Sequence, residues 1–464
     1  MSLLIGLLAT FAAGGAGAAR VPAPLSGGGD PAAPRADGPH FDVPHFDVKE
    51  HHLENGLILL LLEDHSAPIV TFQTFFAVGS ADERSGATGA AHFLEHLMFD
   101  GAEKYGPKEF DRRLEQAGGS SNAVTTLDMT AFHEEFPPEA LDLVLDLERD
   151  RMQSLALADS AFDAELETVR EERRLRSEED IEGSADELLY ATAFVAHPYR
   201  WPTVGWMADL ERLQKEEIRQ FWRDYYRPEN CTVVVVGDFK EGALLPKLRA
   251  AFAGLKRGSA RFPPRTSEPP QRGERRVRLE REAELPMVLM GWHVPAVRDP
   301  IWKSLRAAQL VLSGIGSARL DEKLVNDTGI ALSANAALDG AVDPGLFEVS
   351  LTAAPGHTAE EVEQAARAEI EKLATDGPTA DELVCVRANE TLNVLRELET
   401  VHDRAFALGH AQRYLGDWRA AFSRATLLDD VTAAQVQAAV ATLLVPQNLT
   451  VVTVVPTPVA ERSQ

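Results

Sequence analysis

Apolar residues along the chain follow two patterns, continuous runs that predict strands and helical repeats that predict helices. The run at residues 57–62 comes directly after Asn55-Gly56, a pair that predicts a hairpin turn leading into a strand. Residues 67–79 and 230–239 are rich in β-branched and aromatic residues, which predicts two more strands. Residues 137–152 repeat apolar positions at helical spacing and predict an amphipathic helix.

One strand sequence occurs twice. Residues 228–234 read Pro-Glu-Asn-Cys-Thr-Val-Val, and residues 446–452, an offset of 218 positions, read Pro-Gln-Asn-Leu-Thr-Val-Val. A similar order of strands, turns and helices precedes both copies, which predicts two homologous α+β domains. We place these domains at residues 46–260 and 277–458, and residues 261–276, dense in proline and charge, predict the linker between them.

The first 45 residues are expected to lie outside both domains. Residues 1–19 hold an apolar run that is too short to span a bilayer, and Ala16-Gly17-Ala18 suits signal-peptidase cleavage, although no Lys or Arg precedes the run. This pattern predicts a secretory signal and an exported, periplasmic protein. Residues 20–45 are rich in Pro, Gly and Ala and predict a flexible linker. No later segment has the length and apolar character of a transmembrane helix.

Composition narrows the possible partners. The chain is 45% hydrophobic and 25% charged, which is typical of a globular protein. Its formal net charge of −26 argues against nucleic acid and against anionic membranes as partners. Such a charge would favour cationic substrates if it lined a cavity, but an acidic surface that maintains solubility is the simpler interpretation.

The strongest chemical pattern is H-F-L-E-H at residues 92–96. On a helix, His92 and His96 lie on one face, where two imidazoles can occupy two corners of a tetrahedral zinc site. Glu95 is close enough to activate a water molecule at the metal. The alternative is a charged helix with two surface histidines. A third ligand could come from residues 162–180, where Glu165 and Glu172 share a helical face, although such a helix is usually a solvated surface.

The motif and its spacing to Glu172 resemble the pitrilysin/insulinase family of zinc metallopeptidases, and the smaller, processing-peptidase-like members are similar in length. Blocks at residues 118–130, 196–206 and 226–239 also agree with the family pattern, and the likeness extends from about residue 48 to 456. The resemblance implies two homologous domains, each a mainly antiparallel sheet packed with helices. The first would be a zinc-binding peptidase domain, and the second would lack the zinc site because no histidine falls at the equivalent position.

The resemblance also implies roles for individual residues. His92, His96 and Glu172 would hold one Zn²⁺ per chain, Glu95 would be the general base, and Glu165 would steady the ligands from behind. The substrate would be an unfolded peptide, enclosed between the domains.

By the same resemblance, Asn122 and Ala123 would lie on an edge strand that pairs with the substrate backbone, so both are candidate substrate contacts. A turn residue is an equally good interpretation of Asn122.

One stretch departs from the family pattern. Active members commonly carry an Arg and a Tyr in the second half, but Val325 and Leu332 stand at those positions here, and neither side chain can donate a hydrogen bond. We therefore favour a heterodimer in which a paralogous subunit supplies the Arg and Tyr. A self-sufficient peptidase that uses other donors is the first alternative. A non-catalytic structural or binding subunit is the second, and the retained zinc motif argues against it.

Four further residues are expected to be structural. His133 and His197 fall in a strand and a turn-like loop, and neither is expected to bind metal. Cys231 and Cys385 are expected to be two separate, largely buried thiols in different domains.

Overall fold

The structure is a computed structural model that describes residues 44–258 and 264–457. The predicted signal peptide at residues 1–19 and residues 20–43 of the predicted leader linker lie outside the described residues. Of the predicted interdomain linker, residues 264–274 contain neither helix nor strand, and the next strand begins at Arg275. We refer to residues 44–258 as the first half and to residues 264–457 as the second half.

Within these ranges, eleven strands form two sheets. The strands are β1 (Lys49–His52), β2 (Ile58–Glu63), β3 (Val70–Phe76), β4 (Ser120–Thr125), β5 (Thr130–Phe136), β6 (Cys231–Gly237), β7 (Arg275–Glu282), β8 (Met287–Val294), β9 (Ala331–Leu338), β10 (Gly345–Ala353) and β11 (Leu449–Thr457). The first sheet has the order β1-β2-β6-β3-β5-β4, and the second has the order β7-β11-β8-β10-β9. One pair in each sheet is parallel, β2 with β6 and β7 with β11, and the others are antiparallel. The predicted α+β class is confirmed.

Helices cover both sheets. They are α1 (Ala90–Leu97), α2 (Glu109–Gln116), α3 (Leu141–Ser154), α4 (Asp159–Arg173), α5 (Ile181–Ala193), α6 (Met207–Leu210), α7 (Lys215–Tyr225), α8 (Glu241–Phe252), α9 (Trp302–Leu312), α10 (Ala359–Asp376), α11 (Ala380–Arg396), α12 (Val401–Leu415), α13 (Ala420–Ser423) and α14 (Ala433–Leu443). Two π-helical segments occur at Arg174–Glu179, directly after α4, and at Asp321–Asp327. None of the described helices combines the length and apolar character that crossing a membrane requires.

The register of the two sheets shows that five strands of the first sheet, all but β1, are equivalent to the five strands of the second. Val234 and Val452 occupy the same position in the repeated sequence, on β6 and β11. In the first sheet, the row of paired residues that contains Val234 ends at Asn122 on the edge strand β4. In the second sheet, the row that contains Val452 ends at Asn335 on the edge strand β9. The sequence repeat is therefore also a repeat of strand order and register.

Each sheet is covered on one face by a helix from the other half. Helix α5 of the first half packs against β7, β8 and β11, where Leu189 joins a core cluster with Leu289 and Val452. Helix α12 of the second half packs against β3 and β6, where Leu408 joins Phe75 in a second cluster. Apolar surface is therefore buried between the halves, and this burial contributes to stability.

The two cysteines differ in their surroundings. Cys231 is a buried free thiol in β6, as expected from its apolar strand. The expectation that Cys385 is buried was wrong, since this free thiol is exposed on α11. Its neighbours Leu383 and Val386 take the core-facing positions of the helix, so Cys385 falls on the solvent side.

Gly409 sets how closely α12 approaches the first sheet. A Cβ at Gly409 would lie 2.1 Å from the buried ring of Phe75. We expect Gly409→Ala to lower the free energy of unfolding by about 1–2 kcal/mol, because an overpacking cost of roughly 1–3 kcal/mol exceeds the gain of up to about 1 kcal/mol from replacing a helical glycine. Urea unfolding measures the change. The control is Gly242→Ala in α8, where a Cβ meets no atom within 4 Å. Equal stability of the two variants would contradict the close packing.

Candidate metal centre

Helix α1 begins at a turn that requires glycine. Gly89 has a φ of +87°, and a Cβ there would lie 2.5 Å from the carbonyl oxygen of Val204. The buried carboxyl of Glu83 accepts hydrogen bonds from the backbone N–H groups of Gly89 (2.8 Å) and Ala91 (2.7 Å), so it satisfies two donors at the start of the helix. Burial raises the pKa of Glu83 well above its ordinary value. The start of α1 is thus held by contacts from outside the helix.

Helix α1 packs against α4, and this contact brings imidazole and carboxylate groups together. The rings of Phe93 on α1 and Phe162 on α4 meet edge to face with centroids 4.9 Å apart. The imidazole rings of His92 and His96 lie with centroids 4.8 Å apart on the same face of α1. Glu172, near the end of α4, faces both of them.

The distances between the donor atoms fit a zinc site. Glu172 Oε2 lies 3.6 Å from Nε2 of His92 and 3.5 Å from Nε2 of His96. Zinc bonds of about 2.0–2.1 Å at tetrahedral angles place neighbouring donor atoms about 3.3–3.4 Å apart. Among the described residues, these three side chains form a group in which one possible ligand atom from each lies within 4.8 Å of the other two. On a tetrahedral zinc ion, two imidazoles and one carboxylate would leave a fourth position for water or substrate, as in catalytic zinc sites.

Groups behind two of the three donor side chains fix their orientation. Glu165 Oε2 accepts a hydrogen bond from Nδ1 of His96 at 3.2 Å, which leaves Nε2 of His96 directed at Glu172. The other oxygen of Glu172, Oε1, forms an ion pair with Arg176 at 2.8 Å. Nδ1 of His92 is buried and has no hydrogen-bond partner among the described residues.

Burial and neighbouring charges shift the pKa values of the side chains in this cluster. Burial lowers the pKa of His92 to about 4, and the charge of Glu172 opposes this only in part. Burial also opposes ionisation of Glu172, but the hydrogen bond from His96 and the nearby positive charges outweigh it and lower the pKa of Glu172 to about 2. Glu172 is therefore anionic and His92 neutral, the states in which both side chains are able to bind a metal.

Glu95 lies beside the donor cluster rather than in it. Its side chain is 9% exposed, and its Oε2 atom has no hydrogen-bond partner among the described residues. Burial raises the pKa of Glu95 to about 7, although a hydrogen bond from Thr125 at the end of β4 acts in the opposite direction. A buried carboxyl group with one oxygen unpaired can accept a proton from a group that enters the site.

The predicted substrate contacts lie on an edge strand. Asn122 and Ala123 belong to β4, which pairs with β5 on one side and ends the sheet on the other. Asn122 is exposed, and its side-chain oxygen accepts a hydrogen bond from the N–H of Ala123 at 2.9 Å. Both residues are in a strand rather than in the turn that was the alternative for Asn122.

The remaining predicted residues lie outside the donor cluster. Val325 is partly buried against the core of the second half, and Leu332 is 55% exposed on β9. His133 contacts His402, with 3.3 Å between Nδ1 and Nε2. His197 caps a short turn, since its Nδ1 accepts a hydrogen bond from the N–H of Tyr199 at 3.2 Å.

Three features of the site were not predicted from the sequence. Glu83, which caps the start of α1, lies outside the H-F-L-E-H motif. A single Glu before a glycine-rich turn has no sequence pattern that would predict this role. Gly205 lies against Gly89, where a Cβ would be 2.5 Å from the backbone nitrogen. The ion pair of Arg176 with Glu172 follows from their i, i+4 spacing and could have been found from the sequence.

Two family models match the chain. The model described as "Insulinase (Peptidase family M16)" matches residues 59–205, which include both histidines and Glu172. The model described as "Peptidase M16 inactive domain" matches residues 212–389.

Individual proteins that are similar to this chain are also proteases. The zinc protease PqqE of Helicobacter pylori (strain ATCC 700392 / 26695) is 30% identical over 357 residues, which are 76% of this chain and 80% of that protein. An uncharacterized zinc protease of Mycobacterium leprae (strain TN) is 28% identical over 78% of this chain and 81% of that protein. The crystal structure of a protease from Helicobacter pylori matches with a TM-score of 0.84 at 27% identity, over 89% of this chain and 100% of that one.

The fold and the donor cluster define the class of a zinc metallopeptidase, and the chain belongs to peptidase family M16, the insulinase family. The resemblance inferred from the motif is confirmed. The periplasmic protease PqqL of Escherichia coli, matched with a TM-score of 0.73 at 18% identity over 92% of this chain and 48% of that one, shares the fold.

Removing the Glu83 cap tests how α1 is held. We expect Glu83→Ala to lower the free energy of unfolding by roughly 1–3 kcal/mol, because two N–H groups at the start of α1 lose their acceptor. Urea unfolding in the presence of a zinc chelator measures this without a contribution from metal. The control is Ser85→Ala, an exposed residue of the same loop. A Glu83→Ala variant as stable as the control would show that the cap does not hold the helix.

Proposed function

We propose that this chain is an endopeptidase that hydrolyses unfolded peptides with one zinc ion held by His92, His96 and Glu172. The observation that carries the proposal is the spacing of 3.5–3.6 Å between Glu172 Oε2 and the two imidazole nitrogens, which is close to the edge of a zinc tetrahedron. The names of the relatives in Helicobacter and Mycobacterium, both zinc proteases, support it.

Each residue of the site has a distinct role in this proposal. Zinc, when bound, supplies a Lewis acid that polarises a carbonyl oxygen and lowers the pKa of a water molecule. Glu95 Oε2, which is buried and unpaired among the described residues, accepts the proton of the attacking water and passes it to the leaving amine. Glu165 holds the ring of His96 through Nδ1 and keeps Nε2 directed at the site.

The free edge of β4 supports binding of an extended peptide. A peptide that adds as a further strand pairs through its backbone, so unfolded segments of varied sequence can bind. In this proposal Asn122 and Ala123 are contact residues. The hydrogen bond from the N–H of Ala123 to the Asn122 side chain would be exchanged for one to the peptide. Thr125, at the end of the same strand, forms a side-chain hydrogen bond with Glu95, which connects this edge to the proposed base.

We further propose that a paralogous subunit supplies the Arg and Tyr donors that this chain lacks. Val325 and Leu332 cannot donate hydrogen bonds, and loss of one preorganised donor costs about 3 kcal/mol of transition-state stabilisation. The alternative is a self-sufficient enzyme with donors elsewhere in the chain. The retained donor cluster and buried Glu95 argue against a purely structural subunit.

Export to the periplasm is part of the same proposal. It rests on the apolar leader at residues 1–19 and its small-residue cleavage site. The structural neighbour PqqL, described as periplasmic, is in accord with it.

The role of Glu95 can be separated from metal binding. We expect Glu95→Gln to keep one zinc per chain and to lose hydrolysis by a factor of about 10²–10⁴, because the amide cannot accept the proton. Metal analysis and cleavage of quenched fluorescent peptides measure the two properties. Glu167→Gln, at an exposed position of α4, is the matched control and should retain both. Hydrolysis at the parent rate by Glu95→Gln would refute the assignment.

The need for a partner is tested by comparing two preparations. We expect the purified chain alone to turn over a fluorescent peptide library at least about 100-fold more slowly than the tagged chain isolated with its bound proteins, because two donors are missing. Both activities should disappear with a zinc chelator. Equal activity of a preparation that contains this chain alone would establish the self-sufficient alternative.

A further inference from the structure

Arg176 lies at the exposed side of the metal centre. Its guanidinium Nη2 atom is 2.8 Å from Glu172 Oε1, while the other oxygen of the same carboxylate faces the two imidazoles. The Arg176 side chain is 65% exposed, whereas that of Glu172 is 19% exposed. The carboxylate of Glu172 therefore lies between this cation and the two imidazoles, and most of the Arg176 side chain faces solvent.

The backbone that carries Arg176 is fixed. Arg176 belongs to the π-helical segment Arg174–Glu179, and a Cβ at Gly183 would lie 2.0 Å from its carbonyl oxygen. Arg281, from β7 of the second half, hydrogen bonds to the Glu178 carbonyl oxygen and, at 2.9 Å, to Ser184 Oγ. Contacts from both halves hold the segment, so the exposed side chain projects from a defined position.

The local charge at this position differs from the charge of the whole chain. The chain carries a net charge of −26, yet the Arg176 charge is near enough to act on His92, Glu95 and Glu172. A cation beside a metal ligand repels a metal ion, so its position is unfavourable for metal binding alone. A guanidinium has five N–H donors, and the ion pair with Glu172 leaves others for an anionic group from solvent.

We propose that Arg176 is a specificity-determining residue that selects peptides with a carboxylate one or two residues from the bond that is cut. This inference rests on the proposed peptidase function. An extended peptide rises about 3.3 Å per residue, so such a carboxylate lies within reach of a group that contacts a zinc ligand. Arginine binds carboxylates through paired N–H groups, which favours an acidic side chain or the C-terminal carboxylate over a neutral group of the same shape.

The test uses peptide pairs and matched arginine variants. Quenched fluorescent peptides carry Glu or Gln at each position in turn, and a third series carries a C-terminal carboxylate or amide. We expect the parent to prefer the best Glu peptide over its Gln counterpart about tenfold or more in kcat/KM, and the preference should fall to about one in Arg176→Gln. Arg174→Gln, two residues away and paired with Glu171, should keep the parental preference. A preference confined to the third series would assign the carboxylate to the peptide terminus.

Two further measurements separate the possible failures. Arg176→Gln should still bind one zinc per chain, at least as tightly as the parent, because a repulsive charge is removed. Loss of zinc would overturn the proposal by showing that Arg176 acts only through Glu172. Anisotropy measurements of the same labelled peptides with the zinc-loaded Glu95→Gln variant, which is expected to lose hydrolysis, should show the same preference in binding. Selective binding without hydrolysis, also by the chain isolated with its bound proteins, would leave this inference standing and reject the proposed function. No preference in the parent, or a preference that persists in Arg176→Gln, would overturn the inference.

Discussion

The structure depends on the contact between α1 and α4, which holds two imidazole nitrogens 3.5–3.6 Å from one carboxylate oxygen. Polar atoms that are withdrawn from water are costly unless each has a partner, and a bound metal ion would supply one to this buried or half-buried group. The surrounding contacts maintain the geometry: Glu83 holds the start of α1, and Glu165 holds the ring of His96. Arg176 pairs with the oxygen of Glu172 that faces away from the imidazoles.

The two halves share their hydrophobic cores, and this sharing positions the site. Helix α5 follows the π-helical segment after α4 and packs on the second sheet, while α12 returns to cover the first sheet. The polypeptide between Glu172 and α5, which begins at Ile181, is therefore short and anchored at both ends. This arrangement explains why a segment with an exposed side chain, such as that of Arg176, is held by Arg281 from the opposite half. If Arg176 has the proposed role, substrate specificity depends on contacts from the second half as well as the first.

The sequence was informative where the chemistry is local. A spacing of four places His92 and His96 on one helical face, and the spacing of seven does the same for Glu165 and Glu172. The internal repeat predicted two equivalent sheets, and the strand register agrees with it. Long-range contacts were not predictable, because the crossing of α5 and α12 and the cap from Glu83 depend on tertiary packing. The exposure of Cys385 was missed because the helix was not resolved into its two faces, and the helix predicted for residues 162–180 continues past Arg173 as a π-helical segment.

The most direct test of this account is a crystal structure of the zinc-loaded protein with anomalous diffraction data at the zinc edge. We expect one strong peak per chain, about 2.0–2.2 Å from His92 Nε2, His96 Nε2 and a carboxylate oxygen of Glu172, with Glu95 beside it but not bound to it. A peak elsewhere, or no peak at these three side chains in protein shown to contain zinc, would contradict the assignment of the site.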